Sequence, residues 1–443
     1  MPSHKKYWIA GLSVGLYIFI GYFVQRSESV VLILSYTVLF LFYIVSLKES
    51  KKNSDYLFWI IAAFAFRFCF LFSEPQLSDD YFRYIWDGRM WANGLNAFSK
   101  IPSEVVTMGI PGLDQDLFSS LNSKDYITVY PILAQSVFWL AAIISPDSLL
   151  GSVVIIRGLV LLAEVGSLFL IQSLLQSFNI KKSNIFIYAL NPLVVLELVG
   201  NLHFEVFVIF FLLLSIYFIN RMKLTTAAVS FGVAVAAKLL PLILLPSLLQ
   251  PLGWKGAIRF YVTVSITVAT LLVGMLYGEL VEGITSSIQL YFQKFEFNAS
   301  VYYLVREYGF YTKGFNIIQT TGWKLGLAGG LLILVVSFWK KRNDSNTLIG
   351  WLQTMLWVYG IYFLFATTVH PWYIIPMVAL CVFTSYRFIL LWSYLIFLTY
   401  TGYSESGFHE NLWIVAFEYV VVTGFLVYEI WRNESRKIYL SEN

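Results

Sequence analysis

Residues 30–47 read VVLILSYTVLFLFYIVSL, an apolar run that contains no charged side chain. A helix that crosses the hydrocarbon core of a bilayer needs about 20 mostly apolar residues, so this run is long enough for one span. Similar runs recur along the chain, which is 58% apolar and only 13% charged over 443 residues. Because soluble domains are about 25% charged, we predict an all-α polytopic integral membrane protein.

The same criterion predicts about 12 transmembrane helices. They cover residues 8–24, 30–47, 56–72, 150–176, 185–199, 206–219, 260–278, 318–339, 347–366, 371–385, 388–403 and 412–431. Two further apolar stretches, 129–144 and 226–249, fit a simple span poorly. The second contains Lys238 and Pro241 in its middle. A proline removes a helix hydrogen bond, and a lysine inside the bilayer is costly unless it faces a cavity. We therefore predict two half-helices that meet near a polar site, and we expect a half-span at 129–144 as well.

Basic clusters predict the orientation, because loops rich in lysine and arginine stay on the cytoplasmic side. They lie at residues 48–52, 179–182, 220–223, 255–259, 340–342 and 431–437. All of them, and both termini, fall on one side if the two poorly fitting stretches return to the side they left. The opposite, outer side then receives residues 73–128, 200–205, 279–317, 369–373 and 402–411. We call 73–128 the first outer loop and 279–317 the second outer loop, both parts of a single domain, 1–443.

The first outer loop contains the most informative stretch, SDDYFRYIWDGR at residues 78–89. It predicts a helix over 79–90 with Ser78 as the N-cap and the acidic pair at the positive end of the helix dipole. Polar side chains recur at the spacing that places them along one helix face. These side chains belong to Asp80, Arg83, Tyr84 and Asp87.

The acidic pair, Asp79 and Asp80, suits general-base catalysis. Two adjacent carboxylates repel each other, which favours protonation of one, while a nearby arginine such as Arg83 keeps the other ionised. Such a base could remove the proton of an acceptor hydroxyl. A structural interpretation is equally open, because loop helices often begin with aspartates and carry ion pairs between residues one turn apart. Trp86 is the one candidate for stacking on a sugar ring, although loop aromatics more often form an interfacial belt.

Other polar residues interrupt the predicted spans or lie at their outer ends. Candidate substrate-binding residues are Asp87, Trp86, Asn201, His203, Glu205, Trp372 and Tyr373. A lone histidine at a span end is usually an interfacial residue, and a proline such as Pro371 commonly begins a helix. Arg157 and Glu164 stand seven residues apart within one span, and we expect them to form an internal structural pair. Asn298 begins a glycosylation sequon, which matters only in a secretory pathway.

Several classes of site are not supported by the sequence. The net charge of +4 is too small to indicate nucleic acid. Cys69 and Cys381 both lie in apolar runs, and neither a disulfide framework nor a metal-type spacing can be built from them. Paired aspartates are compatible with a divalent metal, but no full ligand set is present, so we predict no metal site and no required cofactor.

No soluble α/β domain exists to bind a nucleotide sugar, which favours a lipid-carried donor. A lipid phosphate needs cations at the membrane boundary, and the candidates are Arg83, Lys238 and His370.

In several motifs the chain resembles the GT-C superfamily of glycosyltransferases. SDDYFRYIWDGRMWANGLNAF (78–98) is similar to the first-loop signature of bacterial polyprenol-phosphate-mannose-dependent mannosyltransferases and of the catalytic subunit of GPI mannosyltransferase I. Supporting similarities follow in order along the chain: YPILAQ (130–135), NPLVVLELVGNLHFE (191–205), AAKLLP (236–241) and VHPWY (369–373). The chain departs from the family pattern at Ala97 and Ile132, where proline is common.

The resemblance implies a GT-C-like bundle with short juxtamembrane helices in its first outer loop. It also implies that an aspartate of this loop is the general base, with Asp80 the first choice and Asp79 the alternative. The implied reaction is the inverting transfer of one hexose, expected to be mannose, from a polyprenyl-phosphate donor to a glycan or glycolipid acceptor. The expected location is the bacterial inner membrane, with the active site on its outer face.

A transporter or flippase of lipid-linked sugars is the rival function, since it would share the spans and the charges within them. Transporters, however, usually contain inverted repeats and place their charges at the bilayer midplane. The chain shows no repeat, and its acidic pair lies outside the spans. A non-catalytic scaffold would leave both the acidic pair and Lys238 unexplained.

Overall fold

The computed structural model describes residues 4–273, 295–338 and 348–441. Residues 279–294 of the second outer loop and the basic cluster 340–342 therefore lie outside the described residues. The α-helices are α1 (Lys5–Phe23), α2 (Ser29–Glu49), α3 (Tyr56–Phe68), α4 (Asp80–Ala92), α5 (Pro102–Val105), α6 (Gln115–Ser119), α7 (Ile132–Ile144), α8 (Leu149–Ser177), α9 (Phe186–Ala189), α10 (Glu205–Asn220), α11 (Leu224–Ala237), α12 (Leu249–Val273), α13 (Val301–Lys313), α14 (Ile318–Phe338), α15 (Leu348–Phe365), α16 (Ile375–Cys381), α17 (Phe388–Leu395) and α18 (Leu412–Ser441).

Shorter elements connect these helices. Six are 3₁₀-helices, at Asn53–Asp55, Val106–Met108, Lys182–Ile185, Leu240–Leu248, Pro371–Ile374 and Ile396–Gly402. A π-helix covers Val194–Gly200. The one sheet among the described residues is a hairpin of β1 (Tyr403–Ser404) and β2 (Gly407–Phe408). The prediction of an all-α architecture is confirmed.

Seven helices in the described residues are long and apolar enough to cross a membrane, and an eighth span results if a bent pair counts as one. That pair joins Lys182–Ala189 to Val194–Gly200 at an angle of 59°. Six other apolar helices are shorter. A multi-pass membrane protein is therefore confirmed, whereas the predicted count of about 12 spans is not. The predicted span 56–72 is one of the short helices, because α3 ends at Phe68.

The predicted break in the stretch 226–249 is present. Helix α11 ends at Ala237, and Lys238 has the extended conformation φ −161°, ψ 137°. A 3₁₀-helix with Pro241 in its first turn then begins at Leu240. Since proline cannot supply an amide proton to continue the α-helix, the helix breaks at Lys238, as predicted. The part after the break is longer than the predicted half-helix, because Leu240–Leu272 continues as one candidate span of 33 residues.

Helix α7 forms one wall for the first outer loop. Its 13 residues extend for about 20 Å at 1.5 Å per residue, which is less than the thickness of a hydrocarbon core. This length fits the expected half-span at 129–144. Helix α7 packs closely on α4 at Gly88, where an added Cβ would lie 2.2 Å from the carbonyl oxygen of Phe138. Glycine is thus required at this crossing.

Segments predicted to share one side of the membrane contact each other. On the predicted cytoplasmic side, Lys6 lies 2.5 Å from Asp55 and the ammonium of Lys182 lies 4.8 Å from the ring centre of Tyr56. The first outer loop and the predicted outer segments 200–205, 369–373 and 402–411 meet in the contacts described below.

The charges inside the bundle pair differently from the prediction. Glu164 is bound by Arg67, whose Nε and Nη2 lie 2.8 and 2.7 Å from one carboxylate oxygen, while Tyr188 donates to the other. Arg157 instead donates to backbone carbonyls, including those of Ser73 and Val199 at 2.6 and 2.9 Å. The predicted pair of Arg157 and Glu164 is wrong, because seven residues along a helix separate two side chains by about 10 Å.

Candidate active site

The acidic pair lies at the N-terminus of α4. The helix begins at Asp80, and Asp79 occupies the N-cap position without making a side-chain cap hydrogen bond. The predicted N-cap, Ser78, lies one residue earlier, and its hydroxyl accepts the Asp80 N–H at 3.3 Å. The helix prediction over 79–90 is therefore correct to within two residues at either end. Both carboxylates lie where the partial positive charge of the helix favours anions.

The two carboxylates have different partners. Asp79 forms an ion pair with Arg26, from the turn between α1 and α2. The Arg26 guanidinium also lies 5.0 Å from the ring centre of Tyr403 in the hairpin. Asp80 instead accepts a hydrogen bond from the side-chain amide of Asn122 at 2.8 Å. A cation therefore neutralises Asp79, while Asp80 has an uncharged partner.

Arg83 and Asp87 stabilise the first outer loop from inside. The Nε of Arg83 donates to Asp87 at 2.7 Å, and its Nη1 donates to the carbonyl oxygens of Ser123 and Tyr126, both at 2.9 Å. The second oxygen of Asp87 accepts from Gln135 of α7 at 2.9 Å. Asp87 is fully buried and Arg83 is 2% exposed.

The predicted substrate contacts of Asp87 and Trp86 are not supported by this geometry. Both Asp87 oxygens have partners, and the Trp86 side chain is fully buried, with its ring 6.0 Å from that of Phe118. Neither side chain reaches the surface, because the face of α4 that carries them packs into the loop. The Nη2 of Arg83 has no hydrogen-bond partner among the described residues, so its assignment to the donor phosphate stays a prediction.

A second polar group surrounds Glu197 in the π-helix. Its carboxylate accepts from Tyr400 at 2.8 Å and from the Asn201 amide at 3.1 Å, and it lies 3.3 Å from the imidazole Nε2 of His203. Asn201 also accepts the backbone N–H of Leu77 at 3.3 Å, which links this group to the start of the first outer loop.

The backbone of this group is held in an uncommon conformation. Leu202, between Asn201 and His203, has a φ of 63° and is fully buried. A bulky residue in the left-handed region is a genuine outlier, and π-helical turns and strained residues both occur frequently at functional sites. The strain places Asn201 and His203 around the same carboxylate.

Stacked rings join this polar group to the hairpin beside Arg26. The ring centres of His203 and Trp372 are 3.6 Å apart, and those of Trp372 and His370 are 4.5 Å apart. Beyond His370 the ring contacts continue through a tilted pair with Phe297 at 4.4 Å, a stacked pair of Phe297 and Phe408 at 5.1 Å and a tilted pair of Phe408 and Tyr403 at 4.8 Å. Predicted outer segments that are distant in sequence thus form one continuous contact network.

Lys238 lies next to this stack. Its ammonium pairs with Glu205, at the start of α10, and lies 3.8 Å from the ring centre of Tyr373. The Lys238 side chain is 29% exposed, whereas that of Glu205 is 3% exposed. The break in the helix therefore presents a cation at the edge of the network, with a buried carboxylate as its counter-ion.

The surroundings of His370 favour its neutral form, and its assignment to the donor phosphate stays a prediction. Burial lowers its pKa to about 3, and the neighbouring Lys238 and His203 act in the same direction. An imidazole with this pKa is neutral near pH 7, so it can donate a hydrogen bond to a phosphate but carries no charge. Its Nδ1 has no hydrogen-bond partner within the described part of the chain.

The sequon at Asn298 is not accessible. The Asn298 side chain is fully buried, and its amide donates to Glu418 of α18 at 3.1 Å. Glycosylation of the folded protein is therefore excluded at this residue. In the described ranges, no group of three or more His, Cys, Asp or Glu side chains could hold a metal ion.

The structure assembles Asp79, Asn201, His203, His370, Trp372 and Tyr373 through direct contacts or through the ring stack. Several residues of this network were not assigned to the site from the sequence, among them Arg26, Glu197 and Tyr403. Arg26 could have been found, because it is the basic residue between the first two predicted spans, on the side where positive charge is disfavoured.

Comparison with known proteins places this arrangement in a family. A family model described as "Alpha-(1->6)-mannopyranosyltransferase, N-terminal domain" matches residues 12–252. The matched region contains the acidic pair, Glu197 with its neighbours Asn201 and His203, and Lys238. No curated protein and no solved structure gave a significant match.

Proposed function

The chain belongs to the α-(1→6)-mannopyranosyltransferase family, and from this membership we propose which donor it uses, where it acts and which residues carry the reaction. It is a glycosyltransferase that transfers mannose. The proposed donor is a polyprenyl-phosphate mannose, the acceptor is a hydroxyl group of a glycan or glycolipid, and the reaction takes place at the outer face of a bacterial inner membrane. The linkage named in the family description, α-(1→6), is part of the proposal.

The observation that carries the proposal is the difference between Asp79 and Asp80. Asp80 is partly exposed at the N-terminus of α4 and has an amide partner, so its carboxylate is available to accept a proton. In the proposed step, an acceptor hydroxyl attacks the anomeric carbon of mannose while Asp80 removes its proton. The bond from that carbon to the phosphate oxygen breaks, its electron pair leaves with the polyprenyl phosphate, and the in-line displacement inverts the anomeric centre.

Lys238 supplies the positive charge for the departing phosphate. A cation placed where negative charge develops stabilises the transition state most when it needs no reorganisation. The contact with Tyr373 and the pairing with Glu205 hold the ammonium in place. His370 adds a hydrogen bond, and His203, Asn201 and Trp372 shape the site around the sugar.

The test uses purified protein in lipid vesicles, radiolabelled polyprenyl-phosphate mannose and a mannoside acceptor. We expect incorporation of the label into the acceptor, and a decrease of about 10³-fold in this transfer for Asp80→Asn. The matched control is Asp116→Asn, which changes an exposed aspartate of the same loop and should retain transfer. If Asp80→Asn retains more than about a tenth of the wild-type rate, the assigned base is wrong. Movement of intact donor lipid across the vesicle without product would instead favour a flippase.

A further inference from the structure

The turn between α1 and α2 contributes a residue to the candidate site. Arg26 is separated from Asp79 by two predicted spans, yet its Nη2 pairs with the Asp79 carboxylate. About a third of each side chain is exposed, 32% and 35% respectively. The Tyr403 ring covers another side of the guanidinium at 5.0 Å. Arg26 is therefore held from two directions, by the first outer loop and by the hairpin.

The pairing makes two adjacent aspartates unequal. Asp79 has a cation as its partner, whereas the Asp80 side chain is bound by the uncharged amide of Asn122. We propose that Arg26 is a positioning residue for mannose transfer: by pairing with Asp79, it cancels one of two adjacent negative charges and leaves Asp80 as the carboxylate that accepts the proton. This inference rests on the proposed function and extends it to a residue outside the first outer loop.

The benefit of this arrangement is electrostatic. A donor that carries a phosphate is an anion, and it must approach a site that contains two carboxylates. Two adjacent carboxylates repel each other, and this repulsion is stronger at a protein surface than in bulk water because the effective dielectric is lower. With Arg26 present, the three side chains have one net negative charge, the charge that the base itself needs. Without Arg26 the same site would have two.

A double-mutant cycle separates this role from direct binding of the donor. For Arg26→Gln we expect transfer at low donor concentration to fall about 10–100-fold, with most of the change in the KM for the donor. Asp79→Asn alone should stay within about 10-fold of wild type, because Asp79 is not the base. Adding R26Q to D79N should change transfer by less than about 3-fold relative to D79N alone, because the negative charge that Arg26 cancels is no longer there.

Arg26→Lys retains the charge and should retain most of the activity, whereas Arg221→Gln, at an exposed arginine elsewhere in the chain, should change nothing. If R26Q impairs transfer as strongly in the D79N background as in wild type, Arg26 binds the donor or the fold directly and the proposal is wrong. If Asp79→Asn alone abolishes transfer, Asp79 is the base and the proposal is wrong as well. A wild-type protein without any transfer would overturn the proposed function instead, so the two failures can be distinguished.

Discussion

Two groups of charges in this protein show the same residue types in opposite settings. In the middle of the bundle, Arg67 and Glu164 are almost fully buried, and both carboxylate oxygens of Glu164 are bound. In the candidate site, Arg26 and Asp79 are each about one third exposed, and Asp80 is bound by the uncharged amide of Asn122. A buried and fully bound pair has no capacity left for a substrate. A partly exposed group with an unused acceptor does, and this difference, rather than the presence of charge, separates structural residues from candidate site residues.

The largest expected effect follows from breaking the buried pair. Arg67→Met leaves the Glu164 carboxylate without its cation, and removal of one partner of a buried ion pair typically costs about 3–5 kcal/mol of stability. We expect a large loss of folded protein and a marked decrease in the unfolding temperature, measured in detergent. The activity of each remaining folded molecule should stay close to wild type, because Arg67 lies away from the acidic pair.

A compensating variant tests the cause of that loss. Adding Glu164→Leu to Arg67→Met removes the unpaired charge, and replacement of a whole buried pair by apolar residues is often neutral. The double variant should therefore recover much of the lost stability. If it is less stable than Arg67→Met alone, the pair contributes more than mutual neutralisation, and the contrast between the two charge groups is weaker than described.

Replacing Lys238 should have the opposite effect to replacing Arg67: a large loss of activity and a smaller loss of stability. For Lys238→Gln we expect a decrease in transfer of about 100-fold, because the cation beside the departing phosphate is lost. The loss of stability should be smaller, about 1–3 kcal/mol, since one buried carboxylate loses its charged partner but the lysine itself is partly exposed. Transfer assays and thermal unfolding on the same samples measure both quantities. Equal losses of activity and folded protein would make Lys238 a structural residue.

The contrast also explains what could be predicted from the sequence. The helix of the first outer loop and the break at Lys238 depend on local signals, namely an acidic helix start and a proline inside an apolar run. Both were predicted to within a few residues. The partners of the charges depend on contacts between segments far apart in the chain. Arg67 with Glu164 and Arg26 with Asp79 were missed for this reason, and Arg157 was assigned a partner on its own helix that it does not contact.

The burial of individual side chains is the second property that could not be predicted from the sequence. Asp87 and Trp86 belong to the same helix as the acidic pair, and nothing in their spacing indicates that their side of α4 packs into the loop. The lowered pKa of His370 has a similar origin, because it results from burial and from Lys238 and His203 on other segments. Residue type and position along the chain indicated candidates; the packing decided which of them are accessible or charged.

The smallest effect concerns His370 and the pH dependence of stability. Burial lowers the pKa of His370 to about 3, with Lys238 and His203 contributing in the same direction, whereas a histidine in an unfolded chain titrates near 6.5. Between these two values the unfolded state binds more protons, so this residue makes the protein less stable as the pH falls from about 7 to 4. For His370→Asn we expect the decrease in unfolding temperature between pH 7 and pH 5 to be smaller by about 1–2 °C than in the wild-type protein.

His409→Asn, at an exposed histidine near the hairpin, is the matched control and should leave the decrease unchanged. If both variants behave alike, the environment of His370 is no different from that of a surface histidine, and His370 would then be available as a cation for the phosphate after all.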